Sequence, residues 1–234
     1  MSGEMNVEAG PEKQPLISAY VTNLGKYNEG ELVGEWLPLP TTTEKVQEML
    51  GRIGIDGIRY EEYFVTDYDV YVDGLYDHLP EYANLDELNY LAVCLEELDK
   101  WDFEKYEAVL ESGMQVSSVG DAINLTDNMD CFEYLQGVHD EGDLGYYWIE
   151  DSGCYDLKGM GNLASYFDYE KFGRDIALDE GGTFTNSGYV TGGRDNFTEF
   201  YSGIEDIPEE HKVFAYPERP VKGKPTKGEP DHER

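Results

Sequence analysis

Between residues 85 and 98 the apolar positions Leu85, Leu88, Leu91, Ala92, Leu95 and Leu98 recur at helical spacing and share one face. Asn84 stands ahead of them as an N-cap, with Glu87 at the third helical position. A second helix is expected with Asp102 as its cap, carrying Phe103, Tyr106, Ala108, Val109 and Leu110. The two predict a small helical unit in mid-chain. Upstream, Leu16 to Thr22 reads as a β-branched and aromatic strand, followed by a glycine-rich loop through Asn23, Gly25, Asn28, Gly30 and Gly34. Thr41, Thr42, Thr43 and Glu44 fit a capping box before a short helix from Lys45 to Leu50 that Gly51 would stop, and Tyr60 to Thr66 reads as a strand. Downstream, Gly142 to Asp151 and Leu163 to Phe172 are expected helices. Glycines 181, 182, 188, 192 and 193 then punctuate short strands ending in Asn196 to Tyr201.

The pattern is α+β, without an internal repeat. Residues 1–15 read as a mobile leader. From Ile204 onward five prolines, mixed charge and little apolar content predict a disordered tail over residues 204–234.

Charge changes the picture more than any other property. The 234 residues hold 50 acids and 17 bases, a formal net charge of −33. The tail contributes 8 acids against 6 bases, so the acidity belongs to the folded body. Between residues 60 and 157 there are 26 acids and only two bases, Lys100 and Lys105. Two bases cannot neutralise that stretch, which must present a continuous negative surface. Such a surface repels nucleic acid and anionic membranes; it attracts cations and basic protein grooves.

Candidate chemistry narrows quickly. Three cysteines without a C-x-x-C pair argue against a zinc site or disulfide framework and for reduced thiols in a cytoplasm. No stretch is long and apolar enough to span a membrane, and no signal peptide is evident. Asp69, Asp73 and Gly74 begin like a calcium loop, but Pro80 stands where the bidentate Glu is required. The four histidines fall in no metal-binding or catalytic spacing, and no nucleophile elbow or phosphate loop is present. No cofactor, metal or catalytic residue is expected.

The carboxylates themselves are then the candidates. They are Asp67, Asp69, Asp73, Asp77 and Glu81; Asp86, Glu87, Glu96, Glu97 and Asp99; Glu104, Glu107 and Glu111; and Asp140, Glu141, Asp143, Glu150 and Asp151. Acids three or four apart on a helix stand ~5–6 Å apart, while duplex DNA carries one charge per ~1.7 Å of axis. Rows from neighbouring elements approach that density; one helix alone does not. Solubility or adaptation to high salt also produces acidic surfaces, and composition leaves both open.

One run is more specific. Tyr20 to Trp36 reads YVTNLGKYNEGELVGEW. Further on come Tyr60-Glu-Glu-Tyr63, Asp67-Tyr68, and Asp168-Tyr169 followed by Phe172, Gly173, Arg174 and Asp175. In order and wording these resemble the ArdA antirestriction family over about residues 16–201, with Asn23, Leu24, Gly25, Lys26, Tyr27, Asn28, Glu29, Gly30 and Glu31 forming the signature loop. The resemblance implies an elongated homodimer of three small domains, here residues 16–84 (α/β), 85–120 (helical) and 121–203 (α+β, carrying the dimer contact). It also implies mimicry of bent DNA and inhibition of Type I restriction–modification enzymes at their methyltransferase core or specificity subunit, protecting an incoming mobile element. The glycine-rich loop would serve to orient Glu29, Glu31 and Glu35, or simply to make a turn. The alternative is an acidic adaptor for another basic DNA-associated protein, such as a nucleoid or polymerase component.

Overall fold

The computed structural model describes residues 14–113, 116–192 and 197–218. Strand β1 (Ile17–Asn23) is the centre of a three-stranded antiparallel sheet ordered β2-β1-β3, with β2 at Gly34–Leu39 and β3 at Tyr63–Val70. Ile17, Ala19 and Val21 are fully buried, and helix α2 (Thr43–Ile53) contributes Val46, Met49, Leu50 and Ile53 to the same core. Helix α3 (Leu85–Glu97) packs chiefly on α5 (Val119–Thr126) and β2, whereas α4 (Lys100–Glu111) packs on a second sheet. That sheet has the order β4-β6-β5, with β4 at Phe132–Gln136, β5 at Thr183–Phe184 and β6 at Gly188–Gly192.

The mid-chain helices are thus shared between two sheets. One apolar cluster runs from Ile17 through Leu91, Tyr106 and Ile123 to Val190 and Val213, crossing the expected boundaries at residues 84 and 120. A small satellite of Val138, Leu144 and Tyr189 lies beneath α6 (Glu141–Tyr146) and α7 (Tyr169–Glu180). Those two helices cross at backbone contact. A Cβ on Gly145 would overlap the carbonyl of Tyr169, and one on Gly173 would overlap the carbonyl of Glu141. Gly173 in the family-like run therefore has a packing reason.

Several boundaries differ from the sequence expectation, each for a local reason. The glycine-rich loop holds a short helix, α1 (Leu24–Asn28), because the Asn23 side chain accepts from the Lys26 amide. Gly51 does not stop α2; Gly54 does, at φ 83°, where a left-handed turn is needed. Strand β3 starts three residues late, since the Asp56 carboxylate gathers the amides of Ile58, Arg59 and Tyr60 into a turn. Asp99, not Asp102, caps α4, accepting from the Asp102 amide. The expected helix from Leu163 to Phe172 is divided between a 3₁₀ stretch, Lys158–Tyr166, which is kinked at Gly161 (φ 54°), and α7, capped by Asp168.

The largest correction concerns the C-terminus. Residues 197–201 form no strand; the side-chain amides of Asn124 and Asn128 take their backbone groups instead. Residues 204–218, expected to be disordered, form a strap laid back across α3 and the first sheet. Ile207 and Val213 are buried in the main cluster. The buried Asp86 carboxylate accepts from the amides of Val213 (2.6 Å) and Phe214 (2.7 Å), Asn89 donates to the His211 carbonyl, and Gln47 donates to the Tyr216 carbonyl. Residues 1–13 and 219–234, which hold most of the leader and the rest of the expected tail, lie outside the described residues.

Because Asp86 alone satisfies two strap amides, Asp86→Ala should lower unfolding free energy by about 2–3 kcal/mol, the cost of removing a charged acceptor from buried donors. Urea denaturation reads the loss, and hydrogen exchange should accelerate first at Val213 and Phe214.

Candidate functional site

Five of the predicted carboxylates converge where the two sheets approach. Asp73 and Asp77 lie in the loop after β3, and Glu104, Glu107 and Glu111 lie one turn apart along α4. Glu107 links the two groups by accepting from the Asp73 amide at 3.0 Å. Glu104 accepts from Gln136 of β4 at 2.7 Å, and Glu111 accepts from the Asn186 backbone and side-chain amides at 3.0 and 2.9 Å. Neutral donors thus fix the direction of the three glutamates without cancelling their charge. The lone ion pair among these five, within the described residues, is Glu104 with the exposed Lys100, at 3.4 Å.

Partial burial pushes the Glu107 carboxyl above its ordinary value, and the charges of Asp73, Glu111 and Glu104 push in the same direction, against the Asp73 N–H. A groove of about 680 Å³ beside the ridge is lined by Asp77, Glu111, His78 and His139 among others.

Elsewhere the candidates divide. Asp67 and Asp69 are exposed on β3, with Asp69 accepting from the Tyr71 hydroxyl; Glu81, Glu97 and Asp151 are exposed as well. Glu96 is exposed beside Glu97 at the end of α3. Asp99 and Asp140 are helix caps, and Asp143 accepts from the His139 amide, so these three hold local structure while keeping their charge outward. Glu141 lies 3.9 Å from Arg174, and Glu150 accepts from the Tyr169 hydroxyl at 2.6 Å. Glu87 accepts from the Tyr201 hydroxyl at 2.6 Å. Asp86 is buried and committed to the strap, which removes it from any outer surface.

The signature loop is a joint. Asn23 and Lys26 both donate to the carbonyl of Ile53, capping the C-terminus of α2, where a cation is favoured. Gly30 takes φ 90°, which a side chain would strain. Glu29 accepts from the Tyr60 hydroxyl and lies 3.6 Å from Arg59; Glu35 forms a bidentate pair with Arg52. Sequence reasoning missed the neutral partners Gln136 and Asn186, which no local motif marks because they reach α4 from 32 and 75 residues away.

Among the described residues, no group of three or more His, Cys, Asp or Glu side chains is placed to hold a metal ion, and no helix is long and apolar enough to cross a membrane. Fold and site together define an acidic α+β protein whose side chains gather into a supported carboxylate ridge. A sequence model of the antirestriction protein (ArdA) family matches residues 19–191, and the chain belongs to that family. No curated protein matches it.

The raised Glu107 pKa fixes a sign. The folded state holds this proton more tightly, so its ionisation costs stability at neutral pH, and the cost disappears as pH falls through the folded pKa towards the ordinary 4.5. Glu107→Gln keeps an acceptor for the Asp73 amide and should stabilise the protein at pH 7 by about 0.3–0.5 kcal/mol, by removing a partly buried charge first and its solvent-screened repulsion second. Urea midpoints of variant and parent should converge near pH 4.

Proposed function

We propose that this protein is a non-catalytic antirestriction inhibitor whose carboxylates stand in for DNA phosphates along the DNA track of a Type I restriction–modification enzyme. The observation that carries the reading is the ridge of Asp73, Asp77, Glu104, Glu107 and Glu111. Neutral donors orient its three glutamates, and a single exposed lysine is its ion-pair partner among the described residues. A surface built only for solubility has no need to aim its acids. A groove that grips phosphates with Lys and Arg would meet the ridge as it meets DNA, releasing counterions. Family membership supports the antirestriction role. In this reading the N-terminal, central and C-terminal regions are successive stretches of one charge track on an elongated particle.

The active form is a homodimer joined through the C-terminal region, which doubles the track. Supporting this, the 3₁₀ segment Lys158–Tyr166 buries none of its residues, while Leu163, Tyr166 and, in α7, Leu178 expose 64%, 84% and 75% of their surface. Apolar exposure on that scale marks a contact surface. The partner is the methyltransferase core or specificity subunit; nucleic acid and membranes are repelled.

Two variants test the reading through different physics. Changing all five ridge residues to Asn or Gln should weaken inhibition of a Type I enzyme by roughly tenfold or more at low salt, the sum of several screened ion pairs. The circular dichroism spectrum should not change. Undiminished inhibition would remove the ridge from the mimic. Leu163→Glu with Tyr166→Glu adds charge yet should yield a monomer in analytical ultracentrifugation and a weaker inhibitor; a fully active dimer would place the contact elsewhere.

A further inference from the structure

Four separate stretches build a cleft of about 260 Å³ on the strap side of the first sheet, lined by Leu24, by Glu61, Glu62 and Tyr63, by Tyr82, and by Phe214 and Tyr216. Phe214 is its centre, with its ring 5.5 Å from that of Tyr63 and 5.2 Å from that of Tyr216. The backbone holds these rings in place. The Tyr63 hydroxyl accepts from the Leu85 amide, the Tyr216 hydroxyl donates to the Glu61 carbonyl at 3.0 Å, and the Phe214 amide is held by Asp86. Tyr82 stacks on Phe64 yet remains 71% exposed, and Tyr216 is 41% exposed. At the rim, the carboxylates of Glu61 and Glu62 make no ion pair or hydrogen bond among the described residues.

Aromatic faces carry partial negative charge, so rings beneath free carboxylates select a cation with an apolar or planar body. An anion would be repelled, and a neutral apolar ligand would desolvate two unpaired acids. A guanidinium suits the site better than an ammonium because it is flat, weakly hydrated and stacks on rings while its N–H groups reach a carboxylate. The protein already uses this combination next door. The Arg59 guanidinium lies 4.9 Å from the Tyr60 ring centre and 3.6 Å from the Glu29 carboxylate.

We propose that this cleft is a docking site for an arginine side chain of a basic partner protein. Phe214 and Tyr216 lie beyond residues 19–191 matched by the family, and the other lining residues lie within them. The site adds shape selection to a surface that otherwise attracts by charge alone. It does not depend on which basic protein the carboxylate ridge engages.

The test is NMR on the full-length protein with isotope-labelled aromatic residues, titrated at low salt with a capped Gly-Arg-Gly peptide. Capped Gly-Lys-Gly and Gly-citrulline-Gly peptides serve as controls. The arginine peptide should shift the ring signals of Tyr63, Tyr82, Phe214 and Tyr216 and bind at least several-fold tighter than the lysine peptide, while the neutral citrulline peptide should leave them unmoved. Tyr82→Ala, at an exposed ring, should weaken binding by roughly threefold to tenfold, the size of a cation–π contact. The double change Glu61→Gln, Glu62→Gln should do the same without altering the melting temperature. Shifts spread evenly over the acidic surface, or equal binding of the lysine peptide, would overturn the proposal. So would a cleft that accepts the peptide only after Arg219→Ala, because the chain's own arginine would then be its occupant. None of these outcomes depends on whether the protein displaces DNA from a restriction enzyme.

Discussion

Repulsion among carboxylates that have too few cations to pair with is the constraint on this structure. Between residues 60 and 157 the chain carries 26 acids and two lysines, and a fold with so much like charge tends to expand. The protein answers with neutral hydrogen bonds more than with ion pairs. Backbone amides of Asp73, Asp102 and Asp143 donate to Glu107, Asp99 and Asp140, helix N-termini supply favourable partial charge, and Gln136 and Asn186 supply side-chain amides. Each contact orients a carboxylate and leaves its charge in place. A surface assembled this way is both negative and directed, which is what a substitute for a phosphate track requires.

Cohesion comes from elsewhere. A single apolar cluster extends from the first sheet through α3, α4 and α5 to the second, and the C-terminal strap returns across it to bury Ile207 and Val213. Asp86 ties strap to helix. Its carboxylate is spent on cohesion, so it differs in kind from Asp73 or Asp77, although the sequence presents all three alike. The same strap that closes the core also carries Phe214 and Tyr216 to the edge of β3.

Sequence legibility followed the range of the interactions. The α3 helix, its Asn84 cap and its buried stripe were readable because all the determining residues lie within a few positions of one another. The family-like run from Tyr20 to Trp36 was readable as wording, but its function as a joint was not, because Asn23 and Lys26 act on Ile53 about 30 residues away. The strap was misread for the same reason. Its prolines and mixed charge signal disorder locally, while its donors and apolar anchors find partners at Asp86, Asn89 and Gln47, more than 120 residues upstream. Of the candidate site, the abundance and placement of acid in the folded body could be read directly. Which acids face outward, which cap helices and which lie inside depended on tertiary contacts that no periodicity encodes.

The central claim is that this surface competes with DNA for one groove. It is tested most directly by titrating the protein into a complex of a purified Type I methyltransferase core with a labelled specific-site duplex, across a series of salt concentrations. The account predicts displacement of the duplex at about one dimer per enzyme, weakening steeply as salt rises, as counterion release requires. A duplex that stays bound at low salt in the presence of excess protein would contradict it, and would direct the acidity of this chain towards a different basic partner.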